Sequence, residues 1–226
     1  MARSVIVTGG FGILGQAVAS AFAAQGDKVA RIDFAPEARV ALAGGLDLGG
    51  IDLTDQESTR EALANVVEAH GGIDVLVNVA GGFTWETLGD GSIASWAKMQ
   101  SMNLMTAATI TQLALPELTK SGEGRIINIG AGAAVKAPMG MGAYAASKSG
   151  VHRMTEALAE ELSGTSVTVN AVLPSIIDTP TNRSDMPNDD FSKWVQPDAI
   201  ADVIVFLASP AARSVSGALV PVTRGA

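Results

Sequence analysis

The sequence of 226 residues contains no cysteine. This absence excludes disulfide bonds, thiolate metal sites and a cysteine nucleophile. Aromatic residues are also scarce, at 4% of the chain, whereas 47% of the residues are hydrophobic. The core therefore has to be built mainly from Ala, Val, Ile and Leu, a composition typical of buried parallel strands covered by helices.

Positive charge is in deficit, with 15 Lys and Arg against 23 Asp and Glu. No dense basic cluster is present, so we expect no nucleic-acid partner. No apolar run reaches the roughly 18 residues of a membrane span. No signal peptide precedes the first strand, so we expect a cytoplasmic protein without a membrane anchor. The two histidines, His70 and His152, stand far apart without other metal ligands, so we predict no metal site and interpret both as surface or helix-packing residues.

Strand and helix signals alternate along the whole chain, from the β-branched run Ser4–Thr8 to the short run Ala218–Val222. This alternation predicts an α/β fold in three layers, with a doubly wound parallel sheet of about seven strands and helices on both faces. No repeat or long linker divides the chain, so residues 1–226 are expected to form one domain. Within it, Leu46–Leu53 is predicted as the third strand, Thr54 as the cap of the following helix, and Ser92–Lys120 as one long helix.

A glycine-rich loop, Gly9–Gly15, follows the first strand and opens the first helix. Glycines at this point let the backbone turn tightly and approach a pyrophosphate, while the helix N-terminus supplies N–H donors and partial positive charge. The strand–loop–helix context favours a dinucleotide site over a simple tight turn. The residues expected to contact the dinucleotide here are Gly9, Phe11, Gly12, Ile13, Leu14 and Gly15.

Asp33 ends the second strand, where a carboxylate can accept hydrogen bonds from the adenosine ribose and would repel the 2′-phosphate of NADP. We therefore expect NAD(H) to be favoured over NADP(H). Two alternatives stay open. Arg31, on the same side of the strand, neutralises Asp33 and so weakens this preference, or Asp33 is only a strand-end turn residue. Asp52, followed by Leu53, is expected either to bind the adenine amino group or to help cap the next helix.

Tyr144 and Lys148 are four residues apart in a predicted helix, so both side chains point into one site. A free tyrosine has a pKa near 10, and a neighbouring ammonium favours the phenolate and lowers that pKa. The pair is therefore a candidate for proton transfer in hydride chemistry. Alone, the spacing is more typical of a packing tyrosine and a solvated lysine than of a catalytic pair.

Three motifs occur in order along the chain: the glycine loop, Asn78-Val79-Ala80-Gly81 after the fourth strand, and Tyr144 with Lys148 after the fifth. In this combination the sequence resembles the short-chain dehydrogenase/reductase family over nearly its whole length. The resemblance implies a Rossmann fold and an NAD(P)-dependent oxidoreductase that transfers a hydride between its cofactor and a small-molecule substrate. It also implies a homodimer or homotetramer built on the long helix and the tyrosine-bearing helix.

The resemblance also implies roles for individual residues. Asn78 is expected to shape the cofactor cavity, with Ala80 and Gly81 beside the cofactor. Asn103, in the long helix, is expected to anchor a water in the proton relay. Lys148 is expected to hold the nicotinamide ribose in addition to assisting the tyrosine.

The stretch Pro174–Pro197 is polar and irregular, and a loop of this length in a compact domain is usually functional. We predict that it forms a lid over the substrate. By the same family resemblance, its first part lies over the nicotinamide, with Thr179 near the carboxamide. The residues of this part expected to contact the cofactor are Pro174, Ile177 and Thr179.

The sequence departs from the family's pattern in three places. The glycines of the loop are spaced differently from the commonest arrangement, and Asn78-Val79-Ala80-Gly81-Gly82 replaces the usual N-N-A-G. The family's active-site serine normally lies thirteen residues before the tyrosine, and here that position is Ala131. A serine there polarises a substrate carbonyl, and the loss of one such donor can cost a few kcal/mol of transition-state stabilisation.

These departures resemble one branch of the family, the dihydropteridine reductases, which reduce a quinonoid pterin with NADH and also lack the serine. The resemblance rests on V-A-G-G followed by Trp85, on Gly-Ala at the serine position, and on the motifs of Pro174–Trp194. A quinonoid ring is electron-poor and takes up a hydride and a proton without forming an alcohol. The candidate walls of the substrate pocket, each equally consistent with plain packing, are Phe83, Trp85, Ala131, Met139, Met186 and Trp194.

Three functions therefore stay open at this point. The first is an active reductase or dehydrogenase, acting on a quinonoid ring or on a carbonyl or alcohol, including 3-oxoacyl thioesters. The second is a dinucleotide sensor that has kept the fold and lost the reaction, and Ala131 is its best support. The third is a structural subunit of an oligomer. The intact set of Tyr144, Lys148 and Asn103 favours the enzyme.

Overall fold

The computed structural model describes residues 2–225, which form an α/β fold around one parallel sheet. Seven strands lie in the order β3-β2-β1-β4-β5-β6-β7, and every neighbouring pair is parallel. The predicted doubly wound fold class is thereby confirmed. The strands are β1 (Ser4–Thr8), β2 (Lys28–Ile32), β3 (Leu46–Leu48), β4 (Val75–Asn78), β5 (Arg125–Ile129), β6 (Thr168–Pro174) and β7 (Leu219–Val222).

Helices cover both faces of this sheet. They are α1 (Ile13–Ala24), α2 (Gln56–His70), α3 (Ile93–Met99), α4 (Thr106–Lys120), α5 (Gly142–Glu161), α6 (Pro180–Asp185) and α7 (Pro197–Leu207). Within residues 2–225, none of these helices combines the length and hydropathy needed to cross a bilayer. In the same residues, no group of three or more metal-ligating side chains comes together.

Strand β1 shows why the sheet needs helices on both sides. Val5 and Val7 point into the core that contains α1 and α7, whereas Ile6 points into the core that contains α2, α4 and α5. All residues of β1, β4, β5 and β6 are buried, which accounts for their nearly continuous apolar sequences. The scarcity of aromatic residues leaves no gap in the structure, because the two cores are filled mainly by aliphatic side chains.

The winding direction of the sheet changes at β1, which pairs with β2 on one side and β4 on the other. A change of this kind opens a crevice at the carboxyl ends of the strands. Thr8 and Asn78 are paired at these ends. The Thr8 hydroxyl accepts hydrogen bonds from the N–H groups of Val79 (3.0 Å) and Ala80 (3.1 Å), so the chain leaving β4 is held beside the glycine loop.

The third strand is shorter than predicted, because only Leu46–Leu48 pairs with β2. The remaining residues up to Leu53 form the approach to α2. Thr54 does not cap that helix, since its hydroxyl donates instead to Asp52 Oδ1 at 2.7 Å. Asp55 is the cap, and its carboxylate accepts from the N–H groups of Glu57 (2.8 Å) and Ser58.

The predicted long helix between residues 92 and 120 is divided by a π-helical segment, Gln100–Met105, between α3 and α4. Such segments insert an extra residue into a turn and often occur at functional sites. Here the segment contains Asn103, which is buried.

The segment predicted as a lid is ordered by its own contacts. Pro174 belongs to β6, and the residues beyond it contain α6 and a short 3₁₀ turn, Phe191–Lys193. Its two ends meet in a backbone bridge, where Asp178 N–H donates to the Val195 carbonyl at 2.8 Å. The Asp178 side chain accepts from both Arg183 and Gln196, so the start of α6 is tied to the end of the segment.

Candidate active site

A cavity of about 1070 Å³ opens at the carboxyl ends of β1, β2, β4 and β5. It brings together residues that are far apart in the sequence. The predicted site residues that line it are Gly9, Phe11, Gly12, Ile13, Leu14, Gly15, Asp33, Asp52, Leu53, Ala80, Gly81, Phe83, Tyr144, Lys148, Ile177 and Thr179. The cavity therefore joins the glycine loop to the tyrosine and lysine of α5 across the change in winding direction.

The glycine loop is built for close backbone contact. Gly9 has φ of +60°, and a Cβ on it would lie 2.9 Å from the Ala80 backbone. Gly12 is the N-cap of α1 and offers no side-chain cap, so the N–H groups of the first helical turn, which lines the cavity, are left without a side-chain acceptor. An anionic group of a dinucleotide fits this cradle, because the helix start carries partial positive charge.

Asp33 joins the glycine loop to the loop after β2. Its Oδ2 accepts from Phe11 N–H (2.9 Å) and its Oδ1 from Ala35 N–H (2.9 Å). Each carboxylate oxygen keeps a further lone pair, because an ionised carboxylate has about four acceptor positions. Asp33 thus fixes the loop and still has acceptor capacity at the cavity.

The expectation that Arg31 neutralises Asp33 is wrong. In the register of β2 and β3, Arg31 stands opposite Asp47, and the two form an ion pair at 2.6 Å. The Arg31 side chain is only 2% exposed, donates also to the Val40 carbonyl at 2.9 Å, and lies over the Phe11 ring. Nε and Nη2 of Arg31 are therefore occupied by Asp47 and the Val40 carbonyl rather than by Asp33.

Asp52 lies between the cavity and the start of α2. It lines the cavity, and its Oδ1 accepts from the N–H (2.8 Å) and the hydroxyl of Thr54. Among residues 2–225, its other oxygen has no hydrogen-bond partner. The helix cap itself is Asp55, so Asp52 shapes the turn that precedes the cap.

Tyr144 and Lys148 lie in the first turns of α5 and face the cavity together. Lys148 is 5% exposed, and its Nζ donates to the Ile129 carbonyl at 2.7 Å. Burial lowers the pKa of Lys148 to about 8. The Phe83 ring meets the Tyr144 ring edge-on, with centroids 5.0 Å apart.

Burial raises the pKa of Tyr144 to about 12, which is opposite to the expected lowering by the ammonium. The physical reason is desolvation, because removing the phenol from water penalises the phenolate. Tyr144 is therefore a protonated phenol at neutral pH. The arrangement can donate a proton from Tyr144 and can hold positive charge at Lys148.

Asn103 positions the chain after β4. Its amide accepts from Gly82 N–H (2.9 Å) and donates to the Gly82 carbonyl (3.1 Å) and to Ser147 Oγ (3.0 Å). Ser147 lies between Tyr144 and Lys148, so this side chain links α5 to the loop that carries Gly81. Asn103 does not itself line the cavity.

Asn78 also lies behind the cavity rather than on its wall. Its amide donates to Asn128 Oδ1 and Thr111 Oγ1, both at 2.9 Å, and it is 4% exposed. It holds the ends of β4 and β5 together. Pro174 is likewise away from the wall, since it pairs with Val222 in the sheet.

Of the six expected substrate-pocket walls, Phe83 lines this cavity and the other five do not. Trp194 is 2% exposed because its ring packs on Phe191 and its Nε1 donates to Asp189 within the lid segment. Trp85 lies against Gly140, where a Cβ would collide with the indole. Met139 is 79% exposed. Met186 is not on the wall either. Ala131 is buried two residues along the chain from Ile129, which does line the cavity.

Sequence reasoning missed two further parts of the wall. One is the loop after β2, which contributes Phe34, Ala35, Glu37, Arg39 and Val40. The other consists of Lys98, Ser101, Met102 and Thr106. The spacing of four between Lys98, Met102 and Thr106 was a usable signal, because residues four apart share one helix face.

A glycine loop at a change of winding direction, with an acidic residue after β2, defines the class of dinucleotide-binding α/β proteins. The model of the short chain dehydrogenase family matches residues 3–190. The chain therefore belongs to the short-chain dehydrogenase/reductase family, which consists of oxidoreductases that use nicotinamide cofactors.

Individual relatives cover almost the whole chain. A 3-oxoacyl-(acyl-carrier-protein) reductase of Thermotoga maritima is 32% identical over 97% of this chain and 96% of its own length. A 2,5-dichloro-2,5-cyclohexadiene-1,4-diol dehydrogenase of Sphingobium indicum is 34% identical over 99% of this chain and 95% of its own. The solved structure of an aldohexose dehydrogenase of Thermoplasma acidophilum has a TM-score of 0.90 and 25% identity, covering 99% of this chain and 93% of that one.

The glycine loop generates a matched pair of variants. A Cβ at Gly15 would overlap the Gly9 carbonyl oxygen, whereas a Cβ at Gly12 would lie 3.4 Å from it, in ordinary contact. We expect Gly15→Ala to lower the free energy of unfolding by about 2 kcal/mol through overpacking. Gly12→Ala should change it by less than about 1 kcal/mol. Urea unfolding without ligand measures both, and equal losses would show that the close packing at Gly15 has been misjudged.

Proposed function

We propose that this protein is an NADH-dependent reductase in which Tyr144 donates the proton to an acceptor that is already electron-poor. One observation carries the proposal. At the reacting end of the cavity, Tyr144 offers a protonated hydroxyl, while Ala131 stands where the family has a serine. A site with Tyr144 as its hydroxyl donor and no serine is best suited to an acceptor that needs no second hydroxyl to polarise it.

The cofactor preference rests on Asp33. A carboxylate at the end of β2 favours ribose hydroxyls and repels an additional phosphate. Arg31, which was the main objection, is occupied by Asp47 and the Val40 carbonyl. The exposed Arg39 lines the same cavity and is the remaining basic group on the loop after β2.

The residues of the chain divide the chemistry among them. The first turn of α1 and the glycine loop would hold the pyrophosphate, and Lys148 would hold the nicotinamide ribose. When bound, the nicotinamide supplies a hydride, that is, a proton together with two electrons. Tyr144 supplies the separate proton that balances the reduction, and the Lys148 ammonium stabilises the phenolate left behind. Solvent then returns a proton to Tyr144.

The substrate we favour is a conjugated ring of the quinonoid type. Such a ring takes up a hydride at one atom and a proton at another without passing through an alkoxide. Phe83, beside Tyr144, supplies a flat apolar surface against which a planar ring can lie. It is also the class of acceptor that the sequence resemblance to the dihydropteridine reductases implies.

A carbonyl or alcohol substrate is the second candidate. It is supported by the relatives, whose names describe a 3-oxoacyl reductase and a diol dehydrogenase. An alkoxide that develops at a carbonyl would here be stabilised by Tyr144 without a serine. Removing one such donor typically costs about 3 kcal/mol of transition-state stabilisation, so this reaction is expected to be the slower one.

The cofactor preference is tested by thermal unfolding with either dinucleotide. At a concentration near 100 times Kd, a ligand adds about 2.7 kcal/mol to the free energy of unfolding, which is roughly 5–10 °C for a domain of this size. We expect NADH to raise Tm by this amount and NADPH by less. Arg39→Gln, as a control, should leave the NADH shift unchanged. A larger shift with NADPH would contradict the role given to Asp33.

The reaction is tested by following NADH oxidation with quinonoid dihydropterin, simple quinones, 3-oxoacyl thioesters and simple ketones. We expect the quinonoid acceptors to be reduced fastest. With the best acceptor, Tyr144→Phe should lower kcat by roughly 100-fold or more, because it removes the proton donor, while NADH binding is kept. The matched control is Phe206→Leu, at an exposed position of α7.

Two outcomes would overturn this assignment. Unchanged turnover in Tyr144→Phe would remove Tyr144 from the mechanism. A Tm shift with NADH but no turnover of any acceptor in the panel would favour the dinucleotide sensor over the enzyme.

A further inference from the structure

His152 is a buried titratable residue that the proposed mechanism does not use. It lies on α5, four residues after Lys148 and eight after Tyr144, so the three side chains follow one face of the helix. It is 2% exposed. Sequence reasoning interpreted it only as a surface or packing residue.

The end of β5 explains what His152 contacts. Strand β4 pairs with β5 only as far as Asn78 and Asn128. On the other side of β5, Gly130 N–H still donates to the Val172 carbonyl of β6 at 2.9 Å. Successive peptide groups of an extended chain point to opposite sides. The Ile129 carbonyl and the Ala131 N–H therefore point toward the side where β4 has already ended.

Two side chains of α5 take the place of the missing strand. Lys148 Nζ donates to the Ile129 carbonyl at 2.7 Å, and His152 Nε2 accepts from the Ala131 N–H at 3.3 Å. Buried backbone groups need such partners, since leaving one unpaired costs about as much as a lost hydrogen bond. Two successive turns of α5 thus hold the chain at the end of β5, at Ile129 and at Ala131.

Gly130 makes room for this contact. A Cβ at Gly130 would lie 2.5 Å from His152 Nε2 and 2.8 Å from its Cδ2. Any larger residue at this position would displace the ring. Gly130 and His152 therefore form a complementary pair directly beside Ala131, the position that has lost its hydroxyl.

We propose that His152 is a positioning residue for the reductase: in its neutral form it fixes the Ala131 backbone, and with it the Ile129 carbonyl that orients Lys148 beside Tyr144. A backbone N–H can only donate, so Nε2 must be the unprotonated ring nitrogen and Nδ1 must carry the hydrogen. A protonated ring carries hydrogen on both nitrogens. Its Nε2–H would then face the Ala131 N–H, donor against donor, and the hydrogen bond would be lost.

The surroundings of His152 favour the neutral ring. Burial lowers the pKa of His152 below 6.5, and the positive charges of Arg153 and Lys148 lower it further, against the opposing effect of Glu156. These charged groups all lie on α5. The residues that His152 meets just beyond β5, Gly130 and Ala131, carry no titratable side chain. The contact is therefore complete at neutral pH and is lost as the pH falls through the His152 pKa.

The test compares His152→Gln, whose amide oxygen can still accept near the Nε2 position, with His152→Leu, which has similar volume and no acceptor. This inference rests on the proposed function, so kcat is measured with whichever acceptor the wild type reduces. Wild-type kcat should fall on the acid side below pH 6.5. His152→Gln should keep at least about one third of kcat and lose that acid limb. His152→Leu should lose roughly tenfold of kcat at pH 8, the size of one net hydrogen bond.

A second readout needs no turnover and so separates this inference from the proposed function. The chain has only two histidines, so the ring nitrogens of His152 can be assigned by NMR from the variants. In the wild type, Nε2 should be unprotonated at pH 7, and the Ala131 amide resonance should titrate together with His152. The same titration at Ala131 should be absent from His152→Gln. This readout also stands if His152→Leu does not fold.

The inference is overturned by either of two results. One is that His152→Gln keeps the wild-type acid limb, or that Gln and Leu lower kcat equally. The other is that Nε2 is protonated at pH 7, or that the Ala131 amide does not follow the His152 titration.

Discussion

The burial of the Lys148 ammonium, with the partial burial of Tyr144 beside it, is the constraint on which the candidate site depends. A buried ammonium needs a strong acceptor, and the Ile129 carbonyl provides it. A buried phenol resists ionisation, so the pKa of Tyr144 rises to about 12. The same burial therefore anchors α5 to β5 and keeps Tyr144 in the form that gives a proton rather than takes one.

A set of buried polar contacts keeps this pair in place from behind. Asn78 joins β4 to β5 through Asn128, and Asn128 Nδ2 donates to Thr155 of α5 at 2.9 Å. Asn103 ties Gly82 to α5 through Ser147. These asparagines do not line the cavity. They fix the distance between the chain ends that do, because each of these buried hydrogen bonds would be costly to leave unmade.

Much of the fold was accessible from the sequence because it depends on local patterns. The alternating strands and helices predict the parallel sheet, and the glycine loop and the Tyr144–Lys148 spacing predict residues that meet in one cavity. The features that were missed depend on pairing between distant segments. Arg31 meets Asp47 only through the register of β2 with β3, and His152 meets Ala131 only because β4 ends one residue earlier than β5.

Burial was the other quantity that the sequence did not supply. The spacing of Tyr144 and Lys148 predicts a tyrosine pKa lowered by charge, whereas in the structure desolvation raises the pKa of Tyr144 and lowers that of Lys148. Burial also explains why Trp194 and Met139 do not line the cavity as predicted. Trp194 is enclosed within the lid segment, whereas Met139 is exposed to solvent. The hydrophobicity of a residue alone does not show whether its side chain will be enclosed, exposed to solvent or part of a cavity wall.

The most direct measurement uses the fact that Tyr144 is the only tyrosine of the chain. Ionisation of a tyrosine changes its ultraviolet absorbance, so a pH titration of the native protein reports on this single hydroxyl. The pKa of about 12 means that the folded protein should show little tyrosinate at pH 10.5. The same chain unfolded in urea should titrate near 10. A native midpoint at or below 10 would contradict the account, because Tyr144 would then not be held as a buried phenol.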